Sequence, residues 1–174
     1  MSNPILIRGM QPSDVPMVMN NWLENYRKAF HVKGVPNDIY YSWQHRVIEA
    51  LLPRATVYVA CDPEDPKTCY GWACAEVIDN QLVFHYIYVK RLVKATQIGE
   101  EDGRRKYKGW GMGTMLVEEA LKYEPNVEGI VYTAETMAGR CFFRRLVEKG
   151  VLEHEPVYNP FLLYSSLPAG WGAV

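Results

Sequence analysis

The sequence lacks long hydrophobic runs, since no stretch of its 174 residues approaches the ~20 apolar residues that span a bilayer. Its first residues, Met1-Ser2-Asn3-Pro4, are not a basic segment leading into an apolar one, so we expect no secretory signal. The four cysteines form no Cys-x-x-Cys pair and no cluster with histidine, which argues against a zinc site and favours reduced thiols. We therefore expect a cytoplasmic protein with no metal and no membrane contact.

The chain also has little net charge, because 19 Lys and Arg side chains face 20 Asp and Glu, for a net charge of −1. Bulk attraction to nucleic acid or to an anionic membrane is therefore not expected, although a local basic patch remains possible. A hydrophobic content of 48% fits a globular protein with a substantial core. With no repeat, low-complexity segment or linker, residues 1–174 are predicted to form a single domain.

The glycine-rich stretch Lys108-Gly109-Trp110-Gly111-Met112-Gly113-Thr114 is the strongest motif, and it runs directly into a good helix former, residues 115–121. Glycines allow close approach to the main chain, and the first turn of a helix offers unpaired N–H groups to an anion. Four cations precede the helix, namely Arg104, Arg105, Lys106 and Lys108. This pattern predicts a binding site for the pyrophosphate of a nucleotide-containing cofactor; the alternative is a glycine-rich turn that caps an ordinary helix.

The periodicity of the chain predicts the element order β-αα-βββ-α-β-α-ββ. The two early helices begin near Pro12 and Asn37, and the later ones cover about 113–123 and 138–149. The predicted strands are 5–7, 55–60, 70–78, 82–89, 129–133, 151–155 and 161–165. Asp79-Asn80 is predicted to be a two-residue hairpin turn, so that the three middle strands form an antiparallel meander.

Two other nucleotide-binding motifs do not fit the glycines. A dinucleotide-binding turn follows a strand directly within a βαβ unit, whereas here the residues between Val89 and Lys108 intervene after a meander. A P-loop requires Gly-Lys-Ser/Thr after a four-residue gap, and the sequence contains none.

The element order, with a glycine motif after the fourth strand, resembles the GNAT superfamily of acyl-CoA-dependent N-acyltransferases over nearly the whole chain. The family signature, Arg/Gln-x-x-Gly-x-Gly/Ala, corresponds to residues 108–113, with Lys108 in place of Arg or Gln. The resemblance implies an α/β (mixed α+β) fold with a mixed, mostly antiparallel twisted sheet flanked by helices. Gly34-Val35-Pro36 before Tyr40-Tyr41, and the turn 60–63, are also similar to GNAT-like proteins of phages and prophages, for which the compartment would be the host cytoplasm.

The resemblance implies an acetyltransferase that uses acetyl-CoA as cosubstrate. In the family, a main-chain N–H of the fourth strand stabilises the thioester oxygen, and pantetheine pairs with that strand edge. The residues expected to bind the cofactor are Ile87, Tyr88, Val89, Lys108, Gly109, Trp110, Gly111, Met112, Gly113 and Thr114.

Glu76 and His85 are the candidate general base and relay. If Asp79-Asn80 is a two-residue turn, Glu76 faces Val83, a position where some lysine-acetylating members carry a glutamate. His85 then lies on the same face, opposite Cys74. The alternatives are a solvated strand residue for Glu76 and a packed core histidine for His85.

The general acid is less clear, because the family often carries tyrosine in a Phe-Tyr pair where this chain has Phe142-Phe143. Either Tyr88 or Cys141 protonates the thiolate, or the thiolate leaves unassisted, since an unperturbed thiol has a pKa of only ~8.5.

The expected acceptor is the primary amine of a small molecule or peptide. Aromatic side chains of the early helices suggest a partly apolar acceptor pocket: Trp22, Tyr26, Tyr40, Tyr41 and Trp43. In the insert 90–107, Glu100-Glu101-Asp102 could attract a cationic amine or simply be solvated. Two other functions remain open, a non-catalytic acyl-CoA-binding module and an enzyme that acylates nucleic acid, and the chain could be a monomer or a homodimer.

Overall fold

A six-stranded sheet forms the centre of the computed structural model, which describes residues 5–29, 34–90, 93–94, 104–105 and 111–164. Its strands, with β5 and β6 in a separate two-stranded ladder, are β1 (Leu6–Gly9), β2 (Thr56–Cys61), β3 (Cys69–Ile78), β4 (Gln81–Val89), β5 (Val93–Lys94), β6 (Arg104–Arg105), β7 (Gly129–Tyr132) and β8 (Val157–Tyr158). The helices are α1 (Val15–Ala29), α2 (Asn37–Leu51), α3 (Met112–Tyr123) and α4 (Met137–Glu148).

The sheet has the strand order β1-β2-β3-β4-β7-β8. The pairs β1–β2, β2–β3 and β3–β4 are antiparallel, whereas β4–β7 and β7–β8 are parallel. The predicted mixed and mostly antiparallel sheet is thus confirmed.

Both faces of the sheet are buried by helices. Along β2 the side chains alternate, so that Val57 and Val59 pack with α1 and α2, while Tyr58 and Ala60 pack with α3 and α4. This double burial accounts for the nearly continuous apolar sequence of β2 and β3. Within the described ranges, no helix combines the length and the hydropathy needed to cross a membrane.

The hairpin between β3 and β4 has the predicted two-residue turn. Asp79 and Asn80 have φ angles of 47° and 61°, a left-handed pair that fits the twist of a tight hairpin. Ile78 pairs with Gln81, and Glu76 faces Val83 as the sequence predicts.

A β-bulge then interrupts the ladder, because Ala75 pairs with Phe84 while Cys74 pairs with Tyr86. His85 is therefore the extra residue on β4, and the prediction that it lies opposite Cys74 was wrong. Beyond the bulge the alternation of β4 is shifted by one residue, so Tyr86 and Tyr88 pack on the α1/α2 face.

The predicted strands 151–155 and 161–165 were also wrong. The N–H groups of Val151 and Leu152 donate to the carbonyl oxygen of Leu146, so this segment completes the end of α4. Of the described residues that follow α4, only the two of β8 pair with β7, and Pro160, which has no N–H, begins a 3-10 helix, Pro160–Leu163. Residue 165 lies outside the described ranges.

Candidate functional site

The neighbouring strands β4 and β7 pair along only half of β4. Their parallel ladder runs from Gln81–Gly129 to Phe84–Tyr132, and the N–H of Thr133 donates to the carbonyl oxygen of Phe84 at 3.0 Å. Past this point, no strand in the described part of the chain pairs with the same edge of β4. Within the described ranges, residues 86–89 of β4 therefore present an open edge.

The main-chain groups of Ile87 and Val89 point to that open edge. The N–H of Lys90 donates to the carbonyl oxygen of Tyr70 on β3 at 2.9 Å, and bonding directions alternate along a strand. Tyr88 thus directs its main chain to β3, as Gly71 independently indicates, since a Cβ atom at Gly71 would lie 2.6 Å from the Tyr88 carbonyl oxygen. Of the three β4 residues predicted to bind the cofactor, Ile87 and Val89 present main-chain groups to the open edge, whereas those of Tyr88 face β3.

The phenol of Tyr88, the predicted general acid, is half-buried beside Trp72. Its ring packs 6.3 Å from that of Trp72, and burial raises the pKa of Tyr88 above its usual value. The phenol therefore keeps its proton at neutral pH and has one to donate toward a developing thiolate. The role of Tyr88 as general acid stays a prediction.

The structure brings the predicted pair Glu76 and His85 into contact at the bulge. Nε2 of His85 lies 2.8 Å from Oε1 of Glu76. The His85 side chain is fully buried, and that of Glu76 is 10% exposed. Nη2 of Arg54, just after α2, lies 3.2 Å from the same oxygen, so Glu76 forms an ion pair as well.

Thr133 completes this cluster, and the sequence analysis missed it. Its Oγ1 lies 3.3 Å from Nδ1 of His85 and 3.3 Å from the His85 carbonyl oxygen. Thr133 is buried at the point where β7 leaves β4. No local pattern marks Thr133 or Arg54, because their proximity to Glu76 and His85 depends on the register of β7 and on the end of α2.

The helix α3 begins directly after its N-cap residue Gly111, which has φ = 71°, and a Cβ atom added there would meet no described residue within 4 Å apart from the chain neighbours. The first α-helical bond runs from the N–H of Met115 to the carbonyl oxygen of Gly111 at 2.9 Å. The N–H groups of Met112, Gly113 and Thr114 consequently have no partner within the helix, and the first turn carries no acidic residue. This turn can accept an anion.

Several predicted residues lie outside the described ranges, so the structure describes only the last part of the glycine motif. They are Lys108, Gly109, Trp110, Lys106 and the segment 100–102. For Arg104 and Arg105 only the main chain is described, as β6 paired with β5.

One glycine of the motif has a structural reason to be there. A Cβ atom at Gly113 would lie 2.9 Å from Cε2 of Phe142, so Gly113 permits the contact between α3 and α4. The next residue, Phe143, lies in the core with its ring 5.0 Å from that of Tyr132. Cys141 lines a cleft of about 570 Å³ beside Glu155 and Pro156 at the other side of α4.

The five aromatic residues predicted to line an acceptor pocket differ in burial: Tyr41 is exposed, and Trp43 is partly buried against the core cluster of α1 and α2. Trp22 is fully buried, and Tyr40 is buried with its hydroxyl donating to the Leu23 carbonyl oxygen at 2.8 Å, so both belong to the core. Tyr26 is half-buried, with its ring 6.2 Å from that of Tyr86. Tyr86 follows the bulge directly, and burial raises its pKa to about 12. These two phenols, rather than the core pair, border the open half of β4.

Among the described residues, no group of three His, Cys, Asp or Glu side chains could hold a metal ion. The cluster of Arg54, Glu76, His85 and Thr133 therefore provides proton-accepting and hydrogen-bonding groups, beside a strand edge that can pair with an extended ligand.

No family model and no curated protein matches the sequence. Solved structures do match the fold. An acetyltransferase of the GNAT family from Staphylococcus aureus is similar with a TM-score of 0.56 and 16% identity, covering 81% of each chain. The PaiA N-acetyltransferase from Thermoplasma acidophilum, in complex with coenzyme A, is similar with a TM-score of 0.51 and 16% identity, covering 83% of this chain and 88% of that one.

A predicted acetyltransferase with acetyl-CoA from Clostridium acetobutylicum gives a TM-score of 0.51 at 14% identity, covering 81% of this chain and 87% of that chain. These likenesses confirm the predicted resemblance at the level of the fold, and the chain therefore has the fold of the GNAT acetyltransferases.

Proposed function

We propose that the protein is an N-acetyltransferase that transfers the acetyl group of acetyl-CoA to a primary amine. The observation that carries the proposal is the parting of β4 and β7, which leaves the N–H groups of Ile87 and Val89 on an open edge directly after the bulge. The contact between Glu76 and His85 lies at the same bulge. The solved neighbours with coenzyme A or acetyl-CoA support the choice of cosubstrate.

The described residues fit the two ends of such a cosubstrate. The first turn of α3, from Gly111 to Thr114, offers three main-chain N–H groups to a pyrophosphate. The open edge of β4 offers alternating donors and acceptors to the amides of an extended pantetheine chain. Both features lie on the same face of the sheet, because Ile87 and Val89 pack against the core cluster that contains Met112 of this first turn.

The reaction needs one bond to form and one to break. The amine nitrogen bonds to the thioester carbonyl carbon, the C–S bond breaks, and the electron pair leaves with sulfur as a thiolate. Glu76 accepts the proton that the amine loses, with His85 beside it. The N–H of Ile87 or Val89 donates to the carbonyl oxygen as negative charge develops there.

A second candidate is a module that binds acyl-CoA without catalysis. The observation that favours it is Phe143, which corresponds to the tyrosine that serves as general acid in the family. Phe143 has no hydroxyl and packs in the core against Phe84 and Tyr132. In that case CoA binding persists and no amine is acetylated.

The test combines calorimetry with CoA and an assay for thiol release from acetyl-CoA across a panel of amines, peptides and aminoglycosides. Saturable CoA binding with amine-dependent thiol release supports the enzyme. Binding without release from any amine supports the module, and absence of binding contradicts both.

Glu76→Gln keeps the shape of the side chain and removes its basicity. We expect turnover at neutral pH to fall by about 10²–10⁴-fold, with CoA affinity unchanged and partial recovery at high pH, where more of the amine is deprotonated. Glu148→Gln is the control, because this carboxylate is exposed at the end of α4. Full activity of Glu76→Gln at all pH values would remove Glu76 from the mechanism.

A further inference from the structure

We propose that His85 and Thr133 are positioning residues. Thr133 holds the ring of His85 in the neutral tautomer that carries its proton on Nε2. With this proton His85 donates a hydrogen bond to Glu76, and the proton stays on His85. The inference rests on the proposed role of Glu76 as general base. It assigns His85, predicted from the sequence as a relay beside the base Glu76, a role that involves no proton transfer.

The contact between Glu76 and His85 requires a proton on Nε2. An ion pair with Arg54 requires Glu76 as a carboxylate, and a carboxylate has no proton to donate. At 2.8 Å, an unprotonated Nε2 would direct its lone pair at those of Oε1. The proton between the two atoms therefore belongs to His85, which makes the histidine a donor toward Glu76.

The other ring nitrogen of His85, Nδ1, lies within hydrogen-bonding distance of Thr133. When Nε2 carries the proton of a neutral ring, Nδ1 is an acceptor, and the Thr133 hydroxyl at 3.3 Å is the donor that satisfies it. The hydroxyl has one proton and two acceptors within 3.3 Å, Nδ1 and the His85 carbonyl oxygen. Donation to Nδ1 leaves no buried nitrogen of the ring unpaired, and an unpaired one would cost free energy.

Burial excludes His85 from direct contact with an amine. The ring has no exposed surface, and both of its nitrogens are engaged by Glu76 and Thr133. A second proton would place a fully buried imidazolium beside the guanidinium of Arg54, which already contacts the same carboxylate. Cys74, also fully buried here, has its pKa raised by burial and stays a neutral thiol.

The tautomer can be measured without activity. In ¹⁵N-labelled protein at neutral pH, we expect a pyridine-type resonance for Nδ1 and a pyrrole-type resonance for Nε2 of His85. Thr133→Val retains the volume and removes the hydroxyl, so the Nδ1 resonance should move toward that of an unpaired nitrogen, whereas Thr133→Ser should leave it nearly unchanged. A pyrrole-type Nδ1, in either the other tautomer or a doubly protonated ring, would overturn the assignment.

Kinetic measurements distinguish whether His85 acts as a hydrogen-bond donor or as a general base. His85→Gln places an amide N–H near the position of Nε2 but cannot take up a proton near neutral pH. We expect His85→Gln to keep turnover within about tenfold and to retain the acid limb of the pH profile, whereas His85→Leu, with no donor, should lose about 10–100-fold. Loss of the acid limb in His85→Gln would show that His85 is itself the base.

The two proposals fail in different ways. If the wild-type protein binds CoA and acetylates no amine, the acetyltransferase function is wrong, yet the tautomer of His85 can still be read. If the wild-type protein is active and the resonances show a proton on Nδ1, the function stands and the positioning role of Thr133 falls.

Discussion

Gly111 is a single residue on which the proposed cofactor site depends, because its left-handed conformation starts α3 and exposes the first N–H groups of the helix. Gly150, after α4, has almost the same φ angle, 70° against 71°, and at either position an added Cβ atom would meet no described residue within 4 Å apart from the chain neighbours. The two glycines therefore carry the same conformational demand, and only Gly111 lies at the proposed pyrophosphate site.

Gly111→Asp should abolish measurable CoA binding, because it puts a carboxylate beside the pyrophosphate at the positive end of a helix. Gly150→Asp is the matched control: both substitutions impose a left-handed conformation on a non-glycine residue, at ~1–2 kcal/mol. Calorimetry with CoA should find loss of binding only for Gly111→Asp, while thermal unfolding should find similar destabilisation for both. Equal CoA affinity of the two variants would contradict the assignment of Gly111.

At the scale of single residues, the sequence predicts those features that depend on local backbone geometry. Asp79-Asn80 implies a tight turn, and the turn sets Glu76 opposite Val83, which the structure confirms. The bulge at His85 has no such signal, because an extra residue in one strand is decided by packing on both sides of the sheet. The predicted register is correct as far as the bulge and wrong beyond it, yet Nε2 of His85 still lies 2.8 Å from Oε1 of Glu76.

At the scale of the element, β4 is held in two different ways. Its first half pairs with both β3 and β7, whereas in the described structure the half at residues 86–89 pairs only with β3. Gly71 on β3 makes this remaining pairing close, because a Cβ atom there would lie 2.6 Å from the carbonyl oxygen of Tyr88. A side chain at Gly71 would thus displace the strand edge that is proposed to bind pantetheine.

Gly71→Ala should lower the free energy of unfolding by about 1–3 kcal/mol, since the contacted atom belongs to the backbone and cannot move alone. It should also weaken CoA binding. Gly129→Ala is the control, with a Cβ atom also at 2.6 Å from its neighbour, but here the neighbour is Oε1 of the flexible Gln81 side chain. Urea unfolding measures the stability of both variants, and calorimetry measures their affinity for CoA. Equal stability of the two variants would show that residues 86–89 of β4 can shift at little cost in free energy.

Elements with a strong period were predictable, and those without one were not. The apolar stripe of α1 gave the correct element type and boundaries within a few residues. The carboxyl-terminal segment misled the prediction, because the apolar residues Val151, Leu152 and Phe161 suggest strands. The end of α4 and Pro160 use the same residues for a helix terminus and a 3-10 turn.

At the scale of the whole molecule, a net charge of −1 gives little long-range attraction for an anionic cosubstrate. Attraction to the phosphates of CoA must then come from local groups, the first turn of α3 and the basic residues that precede it in the sequence. We propose that Arg104, Arg105 and Lys106 assist binding electrostatically, in addition to the main-chain N–H groups.

Replacement of these three cations by glutamine should weaken CoA binding by up to about 1 kcal/mol for each charge, the magnitude measured for ion pairs in contact with solvent. The loss should shrink as salt rises, because the Debye length falls to ~3 Å at 1 M ionic strength. The matched control replaces Lys28, Lys122 and Lys149, which are exposed and lie in or directly after the last turns of α1, α3 and α4. Both triple variants remove three positive charges, so calorimetry at several salt concentrations separates a local contribution from the net charge. Equal affinities for the two triple variants would show that the basic run is a solvated surface, and the helix terminus would then account for the anion site alone.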